Sequence, residues 1–540
     1  MHLGPAHSRL TTITKDHWQD TSGFMDFTEF NIKFLFKFLT NSVPLVSSWN
    51  YGDSRQRTRC LSLKSTLALE NTTILDVSYV SGGSTVKLHG DCGVSKAFVS
   101  ASLCRVQFST STSDKSSIRA EAWLPDEWYG RFLGVGNGGL GGCIAYEDLN
   151  YGSALHFATV GSNNGHDGDS GRPFLENPEV LNDFAFRSIH VEAVIGKQIL
   201  EVYYGRPHDK AYYLGCSTGG RQGTQSALKY PTDWDGIIAG APATDFNHLL
   251  HWSAMLARYI GSPNPDSSPE FIPPDLWKLV AGEILNQCDG IDGVRDGIIT
   301  EPDACNFRPE ALLCAGPDSE KCLSLPQVEA LRKIYSPLYD NGELIYPRYD
   351  PGAESIHPGG TLLSGQISNY AQDWLKYAVL NVTEFDFSNY GPEHGRMADD
   401  VNPGGIATFN GDLSAFRDRG GKFLTYHGRL IASGNSKRVY DLVSRTLAMP
   451  SLDAFYRLFL IPGMGHCALG PGAWAFGQLG GTEGARNESS HNVLLALVDW
   501  VEGGVAPDTI TGTAVDGTTR VHCRYPMRSV WNGTNFVCEG

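Results

Sequence analysis

Residues 215–219 read GCSTG and fit the G-x-S-x-G pattern, in which a strand turns sharply into a helix and presents a serine hydroxyl, here that of Ser217. The flanking segments agree, because Lys210–Leu214 is short, apolar and Tyr-rich like a buried strand, and Arg221–Lys229 is typical of a helix. A serine at such a turn is a candidate nucleophile. Since the chain has 61 glycines, the pentapeptide could also be a glycine-rich turn, so the serine needs a partner.

A histidine with a matching neighbour lies far downstream, in LIPGMGHCALG, where His466 is followed by Cys467. Cys216 precedes Ser217, so the two sites mirror one another. A disulfide holds its two α-carbons about 4.4–6.8 Å apart, and neighbouring α-carbons are about 3.8 Å apart. A Cys216–Cys467 bond would therefore place Ser217 beside His466, where an imidazole can take the hydroxyl proton. The alternative is a purely structural disulfide beside an incidental histidine.

Attack on a carbonyl also needs hydrogen-bond donors for the developing oxyanion. One is the backbone amide of the residue after the nucleophile, here Thr218, and another comes from an earlier loop. The Gly-rich segment GVGNGGLGGC at 134–143 follows an apolar strand and lets backbone approach a substrate. We favour Gly138 and Gly139 as this second part of the oxyanion site, although the segment could be only a tight turn.

The elements that must position these residues are visible as alternating strand-like and helix-like patterns. Between about residue 75 and 245, and again after 405, short apolar runs alternate with helical periodicity, which predicts a mostly parallel sheet covered on both faces. The strand-like runs are Arg131–Val135, Gly236–Gly240, Lys422–Tyr426 and Leu458–Ile461, and the helix-like ones His190–Glu201 and Ser436–Ala448.

Residues 246–405 differ from the rest, since Pro and Asp are frequent, Trp and Tyr are scattered and four cysteines cluster. This composition predicts an inserted lid. The predicted organisation is an N-terminal extension outside the fold at 1–59, the first part of the core at 60–245, the lid at 246–405 and the second part of the core at 406–540.

Composition indicates a folded, exported protein. The 540 residues are 41% hydrophobic, and a net charge of −16 argues against nucleic acid or an anionic membrane as a partner. The twelve cysteines lack the paired spacing of a zinc site, which favours disulfides. Four glycosylation sequons point the same way: Asn71, Asn381, Asn487 and Asn532.

The N-terminus does not fit that interpretation. Its first thirty residues carry Asp16, Asp20, Asp26 and Glu29 where a signal peptide needs a basic and then an apolar stretch. We expect residues 1 to about 55 to be a non-native start of the reading frame, with the true signal sequence missing. The alternative is a disordered extension.

With GCSTGGRQG and GMGHC, the chain resembles the tannase and feruloyl esterase family of secreted fungal and bacterial enzymes, in which a disulfide joins nucleophile and base. The resemblance runs from about Cys60 to the C-terminus and includes GIIAGAPA after the serine motif. It implies an α/β-hydrolase core with a large inserted lid, and hydrolysis of esters of phenolic acids such as ferulic or gallic acid.

The resemblance also interprets CDGIDGVRDGIITEPDAC at 288–305 as a structural calcium loop in the lid. Its aspartates alternate with glycines that permit tight turns, and Ca²⁺ takes six to eight oxygen ligands. An uncoordinated acidic turn is the alternative. The implied ligands are Asp289, Asp292, Val294, Asp296 and Ile298. The implied disulfides besides Cys216–Cys467 are Cys288–Cys305, Cys60–Cys104, Cys92–Cys143, Cys314–Cys322 and Cys523–Cys538.

One feature departs from the family. Its members place an Asp just after a strand ending in His-Gly, where it can steady the histidine of the catalytic triad. Here His427-Gly428 is present, but the following loop is about three residues short and no carboxylate lies between Tyr426 and Tyr440. Asp441 lies well into the next helix and is a poor substitute. Either the acid is lost or this sequence omits a few codons.

These observations predict a secreted serine carboxylic ester hydrolase that acts on phenolic esters of plant material. The second hypothesis is a hydrolase-fold binding protein that has lost turnover with the acid. A protease on the same core is a weaker third possibility, because the resemblance favours esters. The sequence does not distinguish ferulate from gallate esters.

Overall fold

A computed structural model describes residues 49–89, 92–316, 321–355, 362–480 and 486–540. The chain divides into two units, Met1–Tyr51 and Gly52–Gly540, and the fold below is that of the second. The predicted non-native start therefore lies mostly outside the described residues. The predicted boundary after residue 59 falls within the first described helix, Trp49–Thr66.

The core is a nine-stranded mixed sheet with the strand order β1-β4-β5-β7-β6-β8-β9-β12-β13. The first four strands in this order pair antiparallel and the remaining neighbours pair parallel. The remaining strands form four two-stranded sheets: β2-β3, β10-β11, β14-β15 and β16-β17. In chain order the strands are β1 (Thr72–Val80), β2 (Ser84–Lys87), β3 (Lys96–Val99), β4 (Leu103–Ser111), β5 (Ser117–Pro125), β6 (Arg131–Val135), β7 (Ala158–Ser162), β8 (Lys210–Cys216), β9 (Gly236–Gly240), β10 (Leu338–Asp340), β11 (Glu343–Tyr346), β12 (Lys422–Gly428), β13 (Tyr456–Ile461), β14 (Thr509–Thr513), β15 (Thr519–Cys523), β16 (Arg528–Trp531) and β17 (Phe536–Glu539).

The predicted parallel strands are confirmed. The predicted alternation of strands and helices is wrong for the stretch from β1 to β6. β6 and β9 have the predicted bounds, and β9 is buried along its whole length, as expected for a parallel strand covered on both faces. From β1 to β6, however, six strands follow one another without a helix among them. Antiparallel strands can be joined by short turns and need no crossover helix, so this stretch does not alternate.

Helices cover both faces of the sheet, as predicted. One face packs against α4 and α5 through Ile189, Ile199 and Ala227, and the other packs against α13 through Leu494 and Leu497. The helices are α1 (Trp49–Thr66), α2 (Tyr146–Ala154), α3 (Pro178–Asn182), α4 (Ser188–Tyr204), α5 (Thr218–Lys229), α6 (Phe246–Tyr259), α7 (Pro274–Cys288), α8 (Leu325–Ile334), α9 (Asn369–Asp373), α10 (Pro392–Val401), α11 (Ser414–Asp418), α12 (Gly434–Thr446) and α13 (Val493–Gly503). This arrangement confirms the predicted α/β-hydrolase core.

Residues 246–405 contribute no strand to the nine-stranded sheet within the described part of the chain. They form helices α6–α10, the β10-β11 hairpin and most of an apolar cluster around Trp252 and Trp277, which also includes Leu430 and Ala432 of the loop after β12. A second cluster joins this insertion to the first part of the core, because Trp374 packs with Phe174 and Phe184. The insertion is therefore attached to the core by buried aromatic contacts as well as by its ends.

All twelve cysteines form disulfides, and every predicted pairing is confirmed: Cys60–Cys104, Cys92–Cys143, Cys216–Cys467, Cys288–Cys305, Cys314–Cys322 and Cys523–Cys538. The Cys60–Cys104 bond ties α1 to β4, and both of its cysteines are fully buried. None of the described helices combines the length and the apolar character needed to cross a membrane.

Candidate active site

Ser217 lies at the turn between β8 and α5, where the predicted strand-to-helix elbow is present. Its backbone has φ 63° and ψ −119°, a conformation that residues with a side chain rarely adopt. The turn is held by the Ser217 amide, which donates to Gly240 O at 2.9 Å, and by the Ala243 amide, which donates to Ser217 O at 3.1 Å. Ser217 is partly exposed among buried neighbours, so strained backbone presents an accessible hydroxyl.

Glycines after the serine permit the close approach of α5 to the sheet. A Cβ at Gly220 would lie 2.3 Å from Gly240 O on the neighbouring strand, and one at Gly219 would lie 3.0 Å from Asn137 O. A side chain at Gly220 would push the helix away from the sheet. The glycines of GCSTGG are thus required by the packing around Ser217.

The disulfide between Cys216 and Cys467 joins the end of β8 to the loop that follows β13. Its α-carbons are 6.1 Å apart and its cysteines are separated by 251 positions in the sequence. Ser217 and His466 are the direct neighbours of the two bonded residues. The bond therefore fixes the strand end that carries the serine against the loop that carries the histidine.

The imidazole of His466, the predicted base, is uncharged at neutral pH. Burial lowers the pKa of its imidazole from 6.5 to about 4. Its Nδ1 is buried and has no hydrogen-bond partner among the described residues. Its nearest ring neighbour is His427, whose ring centroid lies 6.1 Å away. Burial, and then the proximity of His466, lower the pKa of His427 to about 3.

The Gly-rich loop after β6 is fixed by hydrogen bonds to α5, the helix that follows Ser217. The Asn137 amide donates to Gln222 Oε1 at 3.0 Å, and Gln222 Nε2 donates to Asn137 Oδ1 at 2.9 Å. The hydroxyl of Thr218, the residue after the serine, donates to Gly139 O at 2.6 Å. A Cβ at Gly138 would meet no other atom within 4 Å. The two predicted oxyanion segments are thus in contact, and Gly138 faces open space.

Comparison with known proteins agrees with this geometry. The model of the family described as tannase and feruloyl esterase matches residues 104–539. This chain belongs to the tannase and feruloyl esterase family. A probable feruloyl esterase B of Aspergillus clavatus is 45% identical over 504 residues, which cover 89% of this chain and 94% of that protein. A probable feruloyl esterase B-2 of Aspergillus flavus is 47% identical over 480 residues, covering 85% and 91%.

Solved structures of the family are also similar to this chain. The crystal structure of feruloyl esterase B from Aspergillus oryzae has a TM-score of 0.85 at 40% identity and covers 90% of this chain and 100% of that one. Tannin acyl hydrolase from Aspergillus niger is 22% identical with a TM-score of 0.70, covering 90% and 94%, and supports the fold alone. As a member of the family, the chain is a carboxylic ester hydrolase of the feruloyl esterase or tannase type.

The loop that would carry the acid of the triad follows β12 and lies against the histidine loop. A Cβ at Gly428 would lie 1.7 Å from Gly465 O, so only glycine fits there. The next residue, Arg429, is buried and pairs with Glu301 at 3.0 Å and Asp303 at 2.9 Å in the insertion. Asp441 lies inside α12. Within the described residues, no carboxylate hydrogen-bonds to His466.

The predicted calcium ligands occupy a loop of tight turns after α7, in which Gly293 and Gly297 have positive φ. Each aspartate accepts a hydrogen bond from a backbone amide of the same loop, from Gly297, Val294 and Ile298 respectively. Burial and the charges of Asp292 and Asp289 raise the pKa of Asp296. The described residues contain no group of three or more acidic, His or Cys side chains close enough to hold a metal ion. The oxygen-only donors fit Ca²⁺ in chemistry, and the site stays a prediction.

The four sequon asparagines are all exposed: Asn71, Asn381, Asn487 and Asn532. Glycosylation there stays a prediction.

Sequence reasoning missed two groups beside the Gly-rich loop that is predicted to hold the oxyanion. The Asn137–Gln222 pair links residues far apart in sequence, and a polar residue inside the Gly-rich segment was its only signal. The second group is Asp169 with Tyr370 of α9. A Cβ at Gly139 would lie 2.7 Å from Asp169 Oδ1 and 2.8 Å from the Tyr370 hydroxyl. Neither residue lies in a recognisable motif.

Proposed function

We propose that this protein is a secreted serine esterase that cleaves phenolic-acid esters of plant material, with Ser217 as nucleophile and His466 as base. The observation that carries the proposal is the Cys216–Cys467 disulfide, which ties the serine turn to the histidine loop. Relatives named feruloyl esterase B, which match nearly their whole length, support the substrate class. The exposed sequons and fully paired cysteines support secretion.

In the proposed reaction, Ser217 Oγ attacks the ester carbonyl while His466 takes its proton. The amide of Thr218 and those of Gly138 and Gly139 stabilise the oxyanion of the tetrahedral intermediate. His466 then passes the proton to the leaving alcohol, which departs and leaves an acyl-enzyme. Water hydrolyses this ester by the same route and restores the serine.

Nδ1 of His466 has no partner in the described part of the chain, and this would limit the efficiency of these steps. A carboxylate at this position holds the imidazole in one tautomer and stabilises the imidazolium that forms, and its removal in a related triad costs about 10⁴ in turnover. The chain as written would therefore hydrolyse esters slowly. The same observation favours a second candidate function, a binding protein that keeps the pocket and has lost turnover.

Two measurements distinguish these functions. The first is stoichiometric labelling of Ser217 by a fluorophosphonate, read by peptide mass spectrometry, with Ser217→Ala as the control. The second is release of ferulate from methyl ferulate and of gallate from methyl gallate. Labelling with slow release supports the esterase. Binding of methyl ferulate without labelling or release favours the binding protein. Absence of both labelling and binding contradicts the proposal.

We also propose that the loop after α7 holds a structural Ca²⁺ through the carboxylates of Asp289, Asp292 and Asp296 and the carbonyls of Val294 and Ile298. Three carboxylates in one short loop repel one another, and a divalent cation would relieve this. The Cys288–Cys305 disulfide, which closes the loop, supports a fixed geometry.

A further inference from the structure

Asp169 and Tyr370 form a polar pair against the oxyanion loop. Tyr370, on α9 of the insertion, donates its hydroxyl to Asp169 Oδ2 at 2.6 Å. Asp169 belongs to the loop after β7, so the pair bridges the core and the insertion. Both residues are exposed, Tyr370 to 40%. Their polar atoms are therefore accessible to a molecule bound at this surface.

The pair is connected to the nucleophile by one short chain of contacts. Thr218, next to Ser217, donates to Gly139 O at 2.6 Å. The α-carbon of the same glycine faces the pair, since a Cβ there would lie 2.7 Å from Asp169 Oδ1. Gly139 has φ 58°, so a side chain at this position would strain the backbone as well as collide. Glycine thus brings a carboxylate against the loop predicted to hold the oxyanion.

The carboxylate is held in place. Tyr370 bonds to one of its oxygens and the Leu140 amide also bonds to it, while partial desolvation by the surrounding protein and the nearby Asp373 carboxylate raise the pKa of Asp169. Asp373 itself accepts hydrogen bonds from Ser170 Oγ and the Gly171 amide, both at 2.9 Å, which fixes α9 on the loop. An ionised carboxylate has about four lone-pair sites, so Asp169 keeps acceptor capacity for a further donor.

We propose that Asp169, oriented by Tyr370, is a specificity-determining residue that accepts a hydrogen bond from a hydroxyl group of the substrate. This proposal rests on the proposed function. The hydroxyl belongs either to the phenol of the acyl group or to a sugar in the alcohol part. A neutral acceptor would serve less well, because hydrogen bonds to a charged group contribute more than those between neutral groups.

The test measures binding in a Ser217→Ala background, so turnover does not interfere. The ligands are methyl ferulate, its analogue methyl 3,4-dimethoxycinnamate, which lacks the phenolic hydroxyl, and 5-O-feruloyl-arabinose. Asp169→Asn should raise the Kd of a hydroxyl-bearing ligand about 10- to 100-fold and leave that of methyl 3,4-dimethoxycinnamate within about 3-fold. If Asp169→Asn raises the Kd of methyl ferulate, the hydroxyl belongs to the phenol. If it raises the Kd of feruloyl-arabinose alone, the hydroxyl belongs to the sugar.

The matched control is Asp167→Asn, in the same loop, whose carboxylate pairs with Arg119 at 2.7 Å and does not face Gly139. It should change none of the three Kd values. Tyr370→Phe should produce a smaller selective loss than Asp169→Asn, because the carboxylate remains. Comparing ligands on one folded variant separates recognition from misfolding. Equal changes for all three ligands, or no change, would overturn the proposal.

Failure of the proposed function would give a different experimental result from failure of this inference. A native chain whose Ser217 is not labelled by a fluorophosphonate and that binds none of the three esters would overturn both proposals. A chain that is labelled and binds methyl 3,4-dimethoxycinnamate, but shows no hydroxyl dependence at Asp169, would overturn this inference alone.

Discussion

At the scale of single residues, the candidate site combines a strained serine with a histidine whose Nδ1 has no hydrogen-bond partner among the described residues. Ser217 has φ 63°, and the hydrogen bonds of its turn maintain this conformation. His466 has its Nδ1 buried and unpaired among the described residues, and its pKa is about 4. A neutral imidazole can accept a serine proton, but within the described residues the resulting imidazolium would have no carboxylate at Nδ1.

Restoring the acid should therefore raise turnover. Insertion of Ala-Ala-Asp between Gly428 and Arg429 is expected to increase kcat on methyl ferulate by about 10³–10⁴. The control is insertion of Ala-Ala-Asn, which lengthens the loop equally without a charge. Equal turnover of the two insertions would show that the acid is not what limits the chain.

The same pair of variants gives a prediction for pH dependence. A base must be unprotonated to act, so the acid limb of kcat/KM in the native chain should lie near pH 4. A nearby carboxylate stabilises the protonated imidazole and raises its pKa, so the limb of the Asp insertion should move to higher pH. If the acid limb of kcat/KM lay at the same pH in the native chain and in the Asp insertion, His466 would not be the titrating base.

The close approach of the two loops gives a prediction for Gly428. Gly428→Ala places a Cβ 1.7 Å from Gly465 O, so the end of β12 must shift away from the histidine loop. We expect a loss of about 1–3 kcal/mol in the free energy of unfolding, measured by denaturant titration, and a lower kcat.

Gly282→Ala, inside α7 and with no atom within 4 Å of the new Cβ, is the matched control. It should be neutral or stabilising by up to about 1 kcal/mol. Equal effects of the two substitutions would contradict the packing described at Gly428.

At the scale of elements, the sheet brings together the ends of three strands. β8 carries the serine, β12 ends in His427-Gly428, and the loop after β13 carries His466. Because parallel strands point their carboxyl ends to one edge, residues distant in sequence meet there. The Cys216–Cys467 bond then fixes two of these ends covalently.

The contribution of this bond can be measured by removing it. The double variant Cys216→Ala/Cys467→Ala should lose about 2–5 kcal/mol of stability and most of its turnover. The control Cys314→Ala/Cys322→Ala removes a bond within the insertion that spans 8 positions, and should keep turnover. If both variants retained full turnover, the disulfide would have only a structural role.

Much of the arrangement of strands and helices could be predicted from the sequence. β6 and β9 were predictable because buried parallel strands are continuous apolar runs. The helix-free stretch from β1 to β6 was not, since antiparallel partners such as β4 and β5 are joined by short turns, and a short apolar run does not show with which strand it pairs. The contacts of Asn137 with Gln222 and of Asp169 with Tyr370 depend on tertiary packing, which no local pattern encodes. The missing acid was visible because it is a change within a recognised motif.

At the scale of the whole molecule, the insertion is tied to the core near the site. Arg429, in the loop after β12, pairs with Glu301 and Asp303 near the C-terminal end of the predicted calcium loop at 288–305. Asp373 and Tyr370 attach α9 to the loop after β7. The insertion thus contacts both the loop after β12 and the loop after β7, on two sides of the candidate site.

Calcium binding should appear as a change in global stability. A cation that binds only the folded state at 100 times its Kd adds about 2.7 kcal/mol to the free energy of unfolding. We expect Ca²⁺ to raise the unfolding temperature of the chelator-treated protein, and Asp292→Asn to abolish this rise. Glu310→Gln, which removes an exposed carboxylate paired with Arg332, should not. An unfolding temperature that responds to neither chelator nor Ca²⁺ would contradict the site.

The most direct test of the account is the rate at which a fluorophosphonate modifies Ser217 in the native protein, compared with His466→Ala and with Cys216→Ala/Cys467→Ala. We expect a single modified serine, at position 217, and a rate that falls by about 10³ or more without the imidazole and substantially without the disulfide. Modification at another serine, or equal rates in all three proteins, would contradict a nucleophile activated by a covalently positioned histidine.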